Sequence, residues 1–199
     1  MEMTVSVNDN INGTLILPIV EGTESIPEDY ERGLPQSMKA QINKVLGGGD
    51  FKGKAKTTLS LVGGEDGNII LSGLGKGDGI TVHDYRKAGA AVFASIKKIH
   101  GNDSTVRFMD AGVAHMAAFA EGMMLRDYSY DNYKMKDDDN EDDSTKQIRL
   151  ACSEKEAGEL TSLVEMYRGV TKGVHLSRDL GNCPPNDMYP EEFADRAWE

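Results

Sequence analysis

The residues with the greatest chemical potential fall in four groups. The glycine run Gly73-Leu74-Gly75-Lys76-Gly77-Asp78-Gly79 stands between an expected strand and an expected helix start, where a phosphate could meet free amides and the helix dipole. Its spacing matches neither G-x-G-x-x-G nor G-x-x-x-x-G-K-[ST]. Asp78 and Ile80 fall where glycines would be needed, and Gly77 follows the lysine. A tight connecting turn is therefore the expected role. Asp137 to Asp143 carries an acid at every position but Asn140; counted from Asp137, however, an EF-hand loop requires glycine and glutamate where Asp142 and Ile148 stand. Such a run repels itself and stays solvated. His83, His100, His115 and His175 are scattered and form no metal-ligand pattern such as H-E-x-x-H. Cys183 sits in a proline turn with no base beside it, Cys152 has no C-x-x-C partner, and no G-x-S-x-G elbow occurs. No catalytic, cofactor-binding or metal-ligating residue is assigned.

The elements that would carry these groups alternate between strand and helix. Met3 to Val7 and Thr14 to Val20 read as strands, and the turn residues Asn8 to Gly13 between them suggest a hairpin. Thr57 to Val62 and Asn68 to Ser72 read as a second pair around Gly63-Gly64-Glu65-Asp66-Gly67. Thr81 is placed to cap a helix, with Asp84 three residues on and Tyr85, Ala88, Val92, Ile96 and Ile99 along one apolar stripe. Val106 to Met109 is an expected strand and Ala111 to Leu125 an expected helix. After the acidic loop, Gln147 to Cys152 reads as a strand. Ser153 then caps a long helix with Ala157, Leu160, Val164, Tyr167, Thr171 and Val174 on one face. This alternation predicts an α/β sandwich around a mixed, mainly parallel sheet. Asn182-Cys183-Pro184-Pro185-Asn186-Asp187 breaks the long helix, and Pro190 starts another over 191–199. Phe193 and Trp198 on that short helix want a surface to bury against, so a further domain is expected to follow.

Composition narrows the partners. The chain has 199 residues, 39% apolar and 28% charged, enough for one sizeable core. Lys and Arg number 22 against 33 for Asp and Glu, a formal charge of −11 that repels phosphate backbones and anionic membranes. No apolar run approaches the roughly 18 residues a membrane span needs. The start, Met1-Glu2-Met3-Thr4, is no secretory signal, and two cysteines make no disulfide framework, so a cytoplasmic protein is expected.

Three segments carry a resemblance. Glu121-Gly122-Met123-Met124-Leu125-Arg126-Asp127-Tyr128-Ser129-Tyr130-Asp131-Asn132-Tyr133-Lys134 resembles the E-G-x-x-L-x-x-Y-x-F-x-x-Y-K stretch of the leucyl (cytosol) aminopeptidase family. Ser177-Arg178-Asp179-Leu180-Gly181-Asn182-Cys183-Pro184-Pro185-Asn186 is similar to its A-R-D-L-V-N-x-P-P-N segment, with Tyr189-Pro190-Glu191-Glu192-Phe193-Ala194 following where the family has T-P-x-x-x-A. Gly73-Leu74-Gly75-Lys76 before an alanine-rich helix resembles the family's G-L-G-K passage, and Asp50-Phe51-Lys52-Gly53-Lys54 is a fainter echo. The resemblance spans essentially the whole chain, although residues before about 50 are generic.

The resemblance implies a macro-domain-like N-terminal domain over residues 1–180. Residues 181–199 would be a linker and first helix leading into a metal-dependent peptidase domain outside this sequence. The family's members are two-metal exopeptidases, using zinc, manganese or magnesium, assembled as homo-hexamers. Their N-T-D-A-E-G-R-L motif and the lysine-bearing segment before it have no match here, so catalysis is expected to lie outside the 199 residues. The implied role is a non-catalytic scaffold and oligomerisation domain that packs on its own C-terminal catalytic domain. The alternative is a stand-alone macro-like module binding ADP-ribose or a related nucleotide at the Gly73 to Gly79 turn. DNA binding, a role of some family members, is disfavoured by the charge.

Overall fold

The computed structural model describes residues 1–7, 10–133 and 145–198. Six strands form one sheet: β1 (Glu2–Ser6), β2 (Thr14–Val20), β3 (Thr58–Gly64), β4 (Gly67–Gly75), β5 (Asp103–Arg107) and β6 (Gln147–Ala151). Their order is β1-β6-β5-β2-β4-β3. The β3–β4 pair is antiparallel and every other neighbouring pair is parallel, so the fold is an α/β sandwich with a mixed, mainly parallel sheet. The expected β3–β4 hairpin is present.

The hairpin expected around residues 8–13 is not. β1 pairs with β6, and β2 lies between β5 and β4. The burial patterns give the reason. Leu15, Ile16, Leu17 and Ile19 are all nearly inaccessible, so β2 needs helices on both faces, which suits an interior parallel strand. β1 buries only Met3 deeply and takes the sheet edge.

Alternate strand residues build two cores. Ile16, Ile70, Val106, Ile148 and Leu150 face α3 (Val82–Ile96), α4 (Val113–Arg126) and α5 (Glu154–Asn182). Leu15, Leu17, Ile19, Ile69 and Leu71 face the opposite side, where α2 (Gln36–Gly47) packs Met38, Ile42 and Leu46. This helix and the single turn α1 (Glu28–Glu31) lie in a stretch for which no element is read from the sequence. The four-residue steps Met38, Ile42 and Leu46 are the signal that marks α2.

The expected caps form. Asp84 N–H donates to the Thr81 hydroxyl while the Asp84 carboxylate accepts from Thr81 N–H, and Ser153 and Glu156 repeat the arrangement at α5. Helices α3 and α4 cross at backbone contact. A β-carbon on Gly89 would stand 2.0 Å from the Phe119 carbonyl oxygen, and one on Gly122 would stand 1.9 Å from that of Arg86. At the same crossing Arg86 Nε donates to Glu121 Oε2 at 2.6 Å, which pairs the largely buried carboxylate. Beyond α5, α6 (Pro190–Trp198) leaves Phe193 52% and Trp198 93% exposed. Among the described residues no helix is long and apolar enough to cross a membrane. The acidic loop at 137–143 lies outside the described residues.

Candidate functional site

The two segments that carry the resemblance most strongly are more than forty residues apart in sequence, and the fold brings them together. Helix α4 ends at Arg126, and the chain over 127–133 returns along the C-terminal half of α5. Tyr128 is the centre of the contact. Its hydroxyl donates to Asp179 Oδ1 at 2.9 Å and accepts from Asn182 Nδ2 at 3.0 Å. Its ring lies 5.2 Å from that of His175 and 5.3 Å from the Arg178 guanidinium. Arg178 also donates to the Leu125 carbonyl at 3.0 Å, satisfying an acceptor at the end of α4. Residues 175, 178, 179 and 182 follow three- and four-residue steps, so one face of α5 supplies all four partners.

The contact continues past the helix. Tyr133 donates its hydroxyl to Asp187 and lies 3.7 Å from Cys183 Sγ. The bonded Asp187 carboxylate, with Cys183 beside it, pushes the Tyr133 hydroxyl well above the ordinary tyrosine range, so it remains a donor. Amides of Asp187 and Met188 return to the Pro184 carbonyl at 3.0 and 2.9 Å, closing the turn. The loop over 127–133 thus fastens both the end of α5 and the turn that aims the chain into α6. The arrangement fixes a direction, and it holds no nucleophile and base aligned for a reaction.

The glycine run is a packing device at its first residue. A β-carbon on Gly73 would stand 2.0 Å from the Lys54 carbonyl oxygen, and Gly75 N–H donates to the Gly53 carbonyl at 2.9 Å. The Gly73 to Gly75 and Asp50 to Lys54 segments are therefore one structural unit, and backbone fills the space a diphosphate would need at Gly73. Among the described residues no three His, Cys, Asp or Glu side chains are placed to hold a metal ion. A two-metal centre does not fit the residues described, and no step of peptide hydrolysis is assigned to them. His83 and His100 are exposed, while His115 and His175 pack on Tyr85 and Tyr128. Cys152 and Cys183 are free thiols, and burial pushes the Cys152 thiol upward, away from nucleophilic use.

Sequence models of protein families add the deciding observation. The description "Cytosol aminopeptidase family, N-terminal domain" matches residues 16–137. The chain belongs to the cytosol aminopeptidase family. A probable cytosol aminopeptidase of Rhizobium etli is 32% identical over 206 residues, covering 100% of this chain and 40% of the relative. One from Rhodopseudomonas palustris is 35% identical over 168 residues, covering 79% of this chain and 33% of its own length. The chain thus spans about 40% of the length of the curated relatives it matches end to end. Among solved structures, a tomato leucine aminopeptidase variant superposes with a TM-score of 0.78 at 19% identity, covering the whole chain and 41% of its own. The bottromycin maturation enzyme BotP in complex with Mn gives 0.63 at 20% identity, over 92% of this chain and 34% of its own. These two likenesses establish the fold of the cytosol aminopeptidase N-terminal domain.

The clamp was legible in the sequence only as two separate motifs. That they touch is visible once α5 is built, because the polar steps 175, 178, 179 and 182 need a partner from elsewhere.

Proposed function

We propose that this chain is the non-catalytic scaffold and assembly domain of a metal-dependent aminopeptidase that removes N-terminal residues from peptides. Residues 1–180 form the folded domain in this reading. Residues 181–199 form the linker and first helix that lead into a peptidase domain carrying two divalent metals, zinc, manganese or magnesium. The Tyr128–Tyr133 clamp carries the proposal. A domain that only folded by itself would have no use for hydrogen bonds that hold the exit of α5 and the Cys183 to Asp187 turn in one direction. A domain that delivers a second one in register needs such a fixed exit. The exposed Phe193 and Trp198 supply apolar surface for that second domain. The family's assembly into homo-hexamers is assigned to the full-length protein.

The test is hydrolysis of leucine p-nitroanilide by the full-length polypeptide that contains this domain, loaded with manganese or zinc. Activity is expected there, together with a hexamer in sedimentation, and none from the 199-residue chain alone. A metal-loaded full-length protein that cleaves no N-terminal residue overturns the reading.

A further inference from the structure

A second feature lies at the other end of the sheet. β2 is followed by α2 on one face, whereas its neighbour β5 is followed by α4 on the other. In open α/β sheets the crevice outside the carboxyl ends of two such strands is where ligands bind. A cavity of about 410 Å³ opens there, with Val20 at the end of β2, Gly77 and Ile80 after β4, and Met109, Asp110 and Gly112 after β5.

Three chemistries converge on it. Helix α4 starts at this cavity with Gly112 as its N-cap, without a side-chain cap and without an acid in its first turn. The amides of Val113 and Ala114 make no hydrogen bond among the described residues, and the residues on either side of them, Gly112 and His115, line the crevice. Tyr85 lines the same cavity, is only 5% exposed, and its hydroxyl makes no hydrogen bond with any described residue. Burial and the nearby Asp110 carboxylate push that hydroxyl up to about 12, so at neutral pH it keeps a proton to donate. The ring is buried, and the hydroxyl stands unpaired at the cavity wall, open to a ligand there. Asp110 itself is held in the left-handed region at φ 48° by a reciprocal pair: the Tyr30 hydroxyl donates to Oδ1 at 2.8 Å, and Asp110 N–H donates to Tyr30 at 2.9 Å. Oδ2 accepts no hydrogen bond from the described residues. Of the remaining wall, Val20, Ile80 and Met109 are apolar, while Thr23 and His115 add polar groups.

We propose that this crevice binds a free amino acid with an apolar side chain. Its carboxylate would take the α4 amides and the Tyr85 hydroxyl, its ammonium would take Asp110, and its side chain would lie among Val20, Ile80 and Met109. A zwitterion satisfies both ends. A nucleotide phosphate would find the helix end but also the Asp110 carboxylate, in a chain of charge −11. The proposal stands whether or not the aminopeptidase reading holds.

Calorimetric titration of the purified chain with L-leucine tests it. The expected result is saturable one-to-one binding that disappears with leucinamide, which lacks the carboxylate, and with 4-methylpentanoate, which lacks the ammonium. Tyr85→Phe should weaken leucine about tenfold, the factor for one hydrogen bond to a charged group. Its thermal midpoint should not fall, since the hydroxyl has no partner to lose. Silence near the solubility limit of leucine overturns the proposal. So does equal binding of leucinamide, or an unaltered affinity in Tyr85→Phe. Binding of inorganic phosphate or ADP-ribose with no response to leucine would reassign the crevice to anions and overturn it as well.

Discussion

Substituting Gly122 by alanine sets two effects against each other, and the geometry says which wins. In an open helix the change gains about 1 kcal/mol, because alanine is the better helix former. At Gly122 the new β-carbon would stand 1.9 Å from the Arg86 carbonyl oxygen, 2.8 Å from its carbon and 3.1 Å from the Ala90 nitrogen. Normal contact is about 3.5 Å, so α3 must retreat by roughly 1.5 Å. The obstacle is backbone, with no flexible side chain to swing aside. Retreat would also part Val92, Phe93, Phe119 and Met123, each at most 1% exposed. Overpacking of this kind costs about 3 kcal/mol, leaving a net loss of about 2 kcal/mol after the propensity gain. Gly158 in α5 is the control, since nothing lies within 4 Å of its would-be β-carbon. Gly158→Ala should stabilise by up to about 1 kcal/mol. In urea, with a slope of about 2 kcal/mol/M, the two variants should move the midpoint in opposite directions, by roughly −1 M and +0.5 M. A Gly122→Ala midpoint at or above that of the parent chain would refute backbone contact between α3 and α4.

Glu121→Gln should lower stability by about 1–3 kcal/mol, because it weakens the charged bond to Arg86 at the same crossing; an unchanged thermal melt would show that the pair contributes nothing. Hydrogen bonds from Thr81 and Ser153 hold the Asp84 and Glu156 carboxyls below their ordinary values of 3.8 and 4.5. Their stabilisation is therefore complete above those values and lost as pH falls through the lower folded-state ones. The melting temperature should drop on acidification below about pH 4, and the double variant D84N/E156Q should flatten that decline. Trp198 is the chain's single tryptophan and is 93% exposed, so its emission should be that of a solvated indole. In the full-length protein it should shift to the blue, and an unshifted spectrum there would mean that nothing packs on α6.

Local chemistry was well expressed along the chain. Helix α3 was legible because its cap and its apolar stripe both lie within residues 81–99, and the β3–β4 hairpin because glycine-rich turn and alternating strands are contiguous. No element is read from the sequence over 28–47 although α2 is there: a three-residue stripe behind a proline N-cap is a weak signal beside turn residues such as Gly33. The assignment of β1 and β2 to one hairpin failed for a different reason. Asn8 to Gly13 do suit a turn, but strand pairing depends on what covers each face, which local sequence does not state.

Sequence by itself determined the family, the alternation of strand and helix, the caps of α3 and α5, and the net negative charge. These follow from residue types at short spacing. Tertiary structure alone decided that Tyr128 meets Asp179 and Asn182, that Gly73 gives way to the Lys54 backbone, and that Tyr85, Asp110 and the start of α4 share one crevice. Each of those contacts joins segments about twenty or more residues apart, and their energies exist only after the sheet has ordered its strands. Hydrogen bonds and close approaches act over a few ångströms, so the order β1-β6-β5-β2-β4-β3, which no local pattern encodes, selects which side chains ever come within reach.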